Sequence, residues 1–404
     1  MKRLRFDHIH MDKMFKFVED YEPEKCIDII THKCQKLADY YGMSVTFSRT
    51  IEVPEELKYT DVYCILNCSL FTPDGTYQVD IVIPNIRNSF CLISGVKRYI
   101  QKQIIDSCFV SMGSPTMERV VCELDAHFTV YKKNDVYYFS VKGNPHVEAC
   151  ATYLQLCKEL GVTERLSELA SSDPIVEAKL AVLQDKKDFL RAMSPFISDA
   201  QKKKVLEYVK VYYYMSDLLQ EYFENPADIV YQLIANIEHV DTGVGLDLTT
   251  RRVRTILDLV TSTMVSQVID FVLNTKYVVH KKRRQKHIRV EPFQELYDFV
   301  LVETMFNAPL ASVANRARCT ILGKGGFTRE GTPTKIKDLH PSQYNCLDPA
   351  VTPDRENAGV VLYLATTAEL DHLGRFKINE DFMTRILRQL RQTQREGETQ
   401  HEST

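Results

Sequence analysis

The spacing of apolar residues along the chain predicts where helices and strands lie. Between Pro23 and Ala38, apolar residues recur at helical spacing and Gly42 follows, which predicts a helix that ends there. Runs rich in β-branched and aromatic residues then predict strands, two of them joined by the hairpin pair Asp74-Gly75. The expected strands are Val45–Ile51, Val62–Phe71, Tyr77–Ile83, Ser89–Ile93, and a second hairpin of Glu118–Tyr131 and Val136–Val141.

The chain becomes helical from His146 to about Ala235 and remains so in two later segments. The helices expected are Val147–Leu160, Pro174–Leu183, Ala200–Phe223, Thr249–Val279 and Pro292–Phe306. Strands first and helices afterwards are typical of the α+β class. We therefore predict an α+β fold, in which an all-helical insert lies on a mixed platform.

The segment from Asn307 to Gly359 is rich in glycine and proline and shows neither helical nor strand periodicity. A loop of this length inside a folded protein is usually functional or unfolded. The chain then ends in a polar segment, and we predict that residues 391–404 are a disordered tail.

Length and charge restrict the function classes. With 404 residues the chain is long enough for two or three domains, and its formal net charge of −3 disfavours a free-standing DNA-binding protein. One basic run, residues 280–287, stands out locally. Its sequence fits a solvated surface turn and a phosphate-binding patch equally well.

The cysteines and the N-terminus indicate a reducing compartment. The 11 cysteines are scattered, no C-x-x-C pair occurs, and no signal peptide precedes them, which favours buried reduced thiols over a structural zinc site. No segment approaches the roughly 20 apolar residues of a membrane span, so we expect no membrane association.

Residues 309–359 carry the motif that indicates a function. They resemble the fork region of bacterial-type RNA polymerase β subunits, whose pattern runs roughly NPL, KRR, LGPGGLTRE, RDVHPTHYGR and PIETPEGPNIGL. Two upstream blocks, residues 83–100 and 239–254, resemble further β-subunit stretches in the same order. The residues that match the fork pattern are Asn307, Pro309, Leu310, Arg316, Arg318, Leu322, Gly323, Gly325, Gly326, Thr328, Arg329, Glu330, Asp338, His340, Pro341, Tyr344, Pro349, Thr352, Pro353, Asn357 and Gly359.

The resemblance implies two groups of site residues. A channel that holds an RNA–DNA hybrid without reading its sequence needs cations for phosphates and glycines that allow close backbone approach. The nucleic-acid-binding group is Arg316, Arg318, Lys324, Arg329, Pro353 and Asn357. The group expected to shape the loops is Gly323, Gly325, Gly326, Asp338, His340 and Tyr344, with no catalytic residue among them.

The sequence departs from the family pattern in the last motif. Val351 stands where the family has an acidic residue, and Asp354-Arg355 replaces a Glu-Gly pair. Arg355 in place of a glycine puts the detailed backbone shape of that loop in doubt.

The resemblance also implies how the chain works with others. It resembles the N-terminal β pieces of giant (jumbo) bacteriophage RNA polymerases, which transcribe phage genes in the infected bacterial cytoplasm. The implied partners are a separate C-terminal β fragment, split β′ chains, a promoter-specificity subunit, the DNA template and the RNA transcript. This chain would be a non-catalytic subunit of the nucleotidyltransferase, because Mg²⁺ would be held by an Asp cluster on β′.

The implied domains are a protrusion of residues 1–112 with 240–290, a helical lobe of residues 113–239, and the start of a fork over residues 291–390. Two other classes stay open from the residues alone. The chain could be a stand-alone nucleic-acid-binding protein that uses the basic run. It could also be a complete single-subunit enzyme built on His340, Asp338 and Cys346, although no nucleophile-elbow or metal-ligand spacing supports that reading.

Overall fold

The computed structural model describes most of the chain. It covers residues 21–378 and Thr384, apart from 73–74, 88, 107–108, 115–116, 125, 143, 186–187, 238–245, 278–285, 303–315, 324–325, 328–331, 333 and 352–356. The predicted tail and most of the basic run therefore lie outside the described residues.

Strands and helices fall largely in separate runs of the chain, with eleven strands before seven consecutive helices, which confirms the predicted α+β class. The strands are β1 (Ser44–Thr50), β2 (Val62–Thr72), β3 (Gly75–Pro84), β4 (Phe90–Ile93), β5 (Val96–Ile100), β6 (Lys102–Asp106), β7 (Phe109–Ser114), β8 (Met117–Leu124), β9 (Ala126–Lys133), β10 (Val136–Val141), β11 (Val147–Glu148), β12 (Arg251–Arg254), β13 (His287–Val290), β14 (Val300–Val302), β15 (Arg318–Thr320) and β16 (Val361–Tyr363). The helices are α1 (Pro23–Tyr41), α2 (Ala149–Leu160), α3 (Leu166–Ala170), α4 (Pro174–Gln184), α5 (Phe189–Met193), α6 (Asp199–Met215), α7 (Asp217–Tyr222), α8 (Pro226–Asn236), α9 (Ile256–Tyr277) and α10 (Phe293–Leu296).

A four-stranded sheet in the order β1-β2-β3-β13 carries helix α1 on one face. The helix begins with proline at its first turn and ends at Gly42, whose φ of 63° is the left-handed conformation that glycine adopts easily. Its buried face includes Cys26, Ile30 and Leu37. This helix and the β1–β2–β3 meander are confirmed as predicted from the sequence.

Helix α9 packs against α1, α6 and β13 and lies at the centre of the larger hydrophobic core. By length and composition this helix could cross a membrane, but 78% of its most apolar window is buried inside the protein. It is accordingly a core helix.

The second unit is a five-stranded antiparallel sheet, in the order β11-β10-β9-β8-β7, with α2 and α8 packed on it. Its β9–β10 hairpin turns at Asn134 and Asp135, which have φ values of 50° and 56°. Two consecutive positive φ values define the tight turn that suits the twist of a hairpin, and Asn and Asp tolerate them well. The predicted turn at this position is confirmed.

A third sheet, in the order β12-β6-β15-β16, brings distant parts of the sequence together. Strand β15 pairs in parallel with β6, and β12 pairs antiparallel with the opposite edge of β6. A separate hydrophobic core lies under this sheet and includes Ile104, Val253, Cys319, Val361 and Leu364. The glycine- and proline-rich segment thus contributes to a packed module, although its sequence shows neither helical nor strand periodicity.

Two predicted elements are divided differently in the structure. The single strand expected over Glu118–Tyr131 is two paired strands, β8 and β9. The long helix expected over Ala200–Phe223 breaks at Ser216, whose hydroxyl accepts a hydrogen bond from the Leu219 N–H at 3.2 Å and so caps α7. The apolar spacing continues through both breaks, so spacing alone does not reveal them.

The helix expected over Pro292–Phe306 is also wrong within the described residues. Helix α10 covers only Phe293–Leu296, a 3-10 turn follows, and Val300–Val302 form strand β14 beside β5. A partner strand far away in sequence thus overrides the local helical pattern.

The close packing of Gly374 against β12 leads to a stability prediction. A Cβ atom at Gly374 (φ 81°) would fall on the Val253 carbonyl oxygen, whereas a Cβ at Gly161 (φ 67°) would meet nothing within 4 Å. Gly161→Ala should cost about 1–2 kcal/mol for its left-handed backbone. Gly374→Ala should cost about 1–3 kcal/mol more because of the clash, as urea unfolding measures. Equal losses in the two variants would contradict this packing.

Candidate nucleic-acid interface

The predicted site residues fall on and around strand β15. Arg316 lies just before β15, Arg318 opens it, and Gly323 and Gly326 follow it. Asp338, His340 and Tyr344 lie in the next loops, and Asn357 precedes β16. Lys324, Gly325, Arg329 and Pro353 lie outside the described residues, so the sequence prediction for them stays a prediction.

Strand β15 is held between two other strands. On one side Cys319 and Thr320 pair with Lys102 and Gln103 of β6. On the other side Arg318 pairs with Tyr363 of β16. Because the core below the sheet is closed, the two predicted arginines stand on a rigid support.

Lys102 of β6 is a buried cation that the sequence reasoning did not single out. Only 4% of it is exposed, and its Nζ donates to the Arg316 carbonyl oxygen at 2.6 Å. A buried ammonium group is costly unless it is hydrogen-bonded, so this contact fixes the backbone just before β15. The available signal was a run of three polar residues, Gln101 to Gln103, between isoleucines in a strand.

The two ends of the segment Ile321–Phe327, called the glycine loop below, are hydrogen-bonded to each other, on either side of residues 324–325, which lie outside the described residues. The Gly326 N–H donates to the Gly323 carbonyl at 2.9 Å, and the Phe327 N–H donates to the Ile321 carbonyl at 2.9 Å. Gly323 has a φ of 104°, and a Cβ there would lie 2.7 Å from the Phe299 ring. At these two positions glycine therefore serves packing inside the protein, whereas the sequence had suggested close approach to nucleic acid.

Strand β12 places three arginines behind the glycine loop. Arg252 donates from Nη1 to Asp258 Oδ2 at 2.8 Å, and Arg254 donates from Nη2 to Ser262 Oγ at 3.2 Å, so both contact the first turns of α9. Arg251 is buried, and its guanidinium lies 5.5 Å from the centre of the Phe327 ring. Arg251 therefore contacts the loop directly, while Arg252 and Arg254 hold β12 against α9.

The charge on Asp258 depends on those arginines. Burial by itself would raise the pKa of this carboxyl group, but Arg252 and Arg254 outweigh burial and lower the pKa. The carboxylate is therefore ionised at neutral pH and anchors both β12 and α9.

His340 ties its loop to the segment before β12. Its Nδ1 lies 2.7 Å from Ser342 Oγ and 3.4 Å from Asp247 Oδ1. The Ser342 hydroxyl also accepts from the Leu248 N–H at 2.8 Å, and Gln343 Nε2 donates to the Leu246 carbonyl at 2.9 Å. The arrangement attaches the loop: the Ser342 hydroxyl beside the imidazole is fully buried and is held by the Leu248 N–H.

The remaining described site residues lie at the surface of this module. Asp338 is exposed, and Tyr344 is 56% exposed. The Asn357 carbonyl accepts from the Val360 N–H at 3.2 Å, which closes the turn into β16. Gly359 in that turn has a φ of 76° and lies directly against the Lys337 side chain.

Other candidate chemistry is limited in the part of the chain that is described. No group of three or more metal-binding side chains occurs there. The nine cysteines whose side chains are described are buried and free, and burial raises the pKa of the Cys319 thiol to about 12 and of Cys346 to about 11. Thiols of this kind are poor nucleophiles at neutral pH.

The last two residues of the basic run are described and contact strand β3. His287 Nε2 lies 2.7 Å from Asp80 Oδ2, and the Lys286 carbonyl accepts from the Gln78 N–H at 2.8 Å. These contacts attach the run to the edge of the first sheet. Whether its remaining lysines and arginines bind phosphate stays a prediction.

Comparison with known proteins identifies the class of the module around β15. Residues 307–370 match the family model described as RNA polymerase Rpb2, domain 3. This match covers the fork-like segment and confirms its resemblance to polymerase β subunits. The two upstream blocks lie outside the matched residues.

Individual relatives agree with the family model. Over 66 residues the chain is 41% identical to the DNA-directed RNA polymerase subunit beta of Mesoplasma florum. It is 42% identical over 66 residues to the subunit of the same name from Prochlorococcus marinus strain NATL1A and from Synechococcus sp. strain WH7803. The match covers 16% of this chain and 5% of the Mesoplasma protein. The chain therefore spans only a small part of the length of these relatives.

The lowered pKa of Asp258 predicts a dependence of stability on pH. Since the folded pKa lies below the unfolded value of about 3.9, this group stabilises the fold above that pH and stops doing so as the pH falls through the folded pKa. Asp258→Asn should reduce the unfolding free energy at pH 7 and flatten its decline below about pH 4. The exposed Asp28→Asn serves as the control in urea unfolding. Parallel acid declines in wild type and Asp258→Asn would argue against the pairing.

Proposed function

We propose that this protein is the N-terminal part of the β subunit of a multisubunit DNA-directed RNA polymerase, and that the module around β15 forms part of the wall of its DNA–RNA hybrid channel. The observation that carries the proposal is the family match over residues 307–370. Its support from the fold is that β6 and β12 hold the same segment against a closed core.

The chemistry of hybrid binding agrees with this arrangement. Phosphate contacts supply affinity without sequence preference, and they need cations whose backbone is already fixed. Arg316 lies just before β15, and Arg318 opens it. In the sequence, Lys324 lies within the glycine loop and Arg329 follows it. In the proposal these four cations bind phosphates, while Pro353 and Asn357 line the RNA side.

The remainder of the enzyme is assigned to other polypeptides. We assign nucleotidyl transfer to Mg²⁺ ions held by an Asp cluster on split β′ chains, and the remaining channel wall to a separate C-terminal β fragment. A promoter-specificity subunit completes the proposed assembly. The resemblance to split β subunits of giant bacteriophages supports a role in transcribing phage genes inside the infected bacterium.

Purification of the tagged chain from its native cells tests this assignment. We expect it to bring down a second β fragment and β′ fragments that carry an Asp cluster, and the complex to synthesise RNA from a DNA template with Mg²⁺. Recovery of the chain alone, with tight salt-sensitive binding to DNA, would instead support a stand-alone nucleic-acid-binding protein.

A charge deletion in the glycine loop tests the site. Lys324→Ala in the assembled enzyme should lower the slope of log affinity for the hybrid against log salt by about 0.9, the value for one lost phosphate contact on a duplex. The matched control is Lys58→Ala. Lys58 is an exposed lysine paired with Glu55, and it lies far from Lys324 in the sequence. An unchanged slope for Lys324→Ala would remove this lysine from the proposed interface.

A further inference from the structure

Gln103 of β6 is a fully buried amide that contacts both the glycine loop and strand β12. Its exposed fraction is 0%. Its Nε2 donates to the Leu322 carbonyl oxygen at 3.1 Å, and its Oε1 accepts from Arg254 Nη1 at 3.2 Å. One side chain therefore bridges two segments, each of which lies more than a hundred residues from Gln103 in sequence.

The orientation of this amide is determined by chemistry. A guanidinium group can only donate hydrogen bonds, so the amide oxygen must face Arg254. The amide nitrogen then faces the glycine loop, where the Leu322 carbonyl oxygen accepts its hydrogen bond. Arg254 is itself fixed by Ser262 of α9, so the direction of the bridge is set from the helix side.

The glycine loop closes around the same amide. A Cβ atom at Gly326 would lie 3.0 Å from Gln103 Nε2, and one at Gly323 would lie 3.6 Å from it. The first distance is too short for ordinary packing, so a side chain at Gly326 would push the amide or the loop aside. Gln103 and the two glycines thus occupy one shared space.

We propose that Gln103 is a positioning residue that sets the conformation of the glycine loop and thereby the place where Lys324 and Arg329 meet the hybrid. The second half of this statement rests on the proposed function, whereas the first half does not. Methionine at position 103 would keep the volume and lose both hydrogen bonds. Glutamate would keep the contact with Arg254 and set an oxygen against the Leu322 carbonyl.

Trypsin cleavage after Lys324 in the full chain tests the first half without any polymerase activity. Gln103→Met should speed this cleavage at least about tenfold, because it removes one hydrogen bond between neutral groups and one from the charged Arg254 guanidinium. Gln101→Met is the matched control, because Gln101 is also buried and its Oε1 accepts no hydrogen bond from the described residues. This control should cleave like the wild type.

Gln103→Glu is the second variant for the case that Gln103→Met does not fold, and thermal unfolding shows which variants are folded. A folded Gln103 variant that cleaves at the wild-type rate overturns the proposal. Equal acceleration by Gln101→Met also overturns the proposal, because any substitution near the start of β6 would then have the same effect.

A double-mutant cycle in the assembled enzyme tests the second half. Gln103→Met should lower the salt concentration at which the transcription complex dissociates, and should have a smaller effect in the Lys324→Ala background, where only Arg329 remains to be displaced. Full additivity of the two effects would overturn the positioning role. If Lys324→Ala alone changes nothing, the proposed function fails at this loop, while the proteolysis result still decides the conformational claim.

Discussion

The parallel pairing of β15 with β6 is the constraint on which the site depends. It joins Cys319 and Thr320 to Lys102 and Gln103, more than two hundred residues earlier, and so brings a buried ammonium and a buried amide beneath the segment that carries Arg316 and Arg318. Without that pairing the second core would lose one side of its sheet. Lys102 and Gln103 would then lose their acceptors, the carbonyl oxygens of Arg316 and Leu322, and a buried polar group that loses its acceptor is costly.

Helix α9 extends this constraint to the rest of the molecule. Its first turns bind Arg252 and Arg254 through Asp258 and Ser262, behind the glycine loop. Further along, Asp270 accepts from Lys142 Nζ at 2.7 Å and from Tyr208 Oη at 3.0 Å, which attaches the helix to β10 and α6 of the five-stranded unit. Helix α9 thus makes polar contacts with β12 at its start and with Lys142 and Tyr208 further along, while its apolar face packs in the larger core.

The sequence predicts elements whose signals are local, and it does not predict those that depend on distant partners. Helix α1 has proline at its start and glycine at its end, and the β9–β10 turn has Asn134-Asp135, so both could be read directly. Strand β14 and the second core could not, because they depend on distant partners and on scattered apolar residues without periodicity. The Ser216 cap is a local contact with Leu219, but the apolar spacing continues past it and does not mark the break. For the site, the motif located β15 and its arginines. Lys102 and Gln103 were missed because the sequence does not distinguish a buried polar residue from an exposed one.

The central claim is that the module around β15 contacts the hybrid inside an assembled polymerase. Photo-cross-linking from single modified positions in the RNA of a stalled transcription complex measures this contact directly, with cross-linked peptides identified by mass spectrometry. The account predicts cross-links within residues 316–330 from RNA positions paired with the template. Cross-links from those positions that fall only on other chains, in an enzyme active with this chain present, would contradict it.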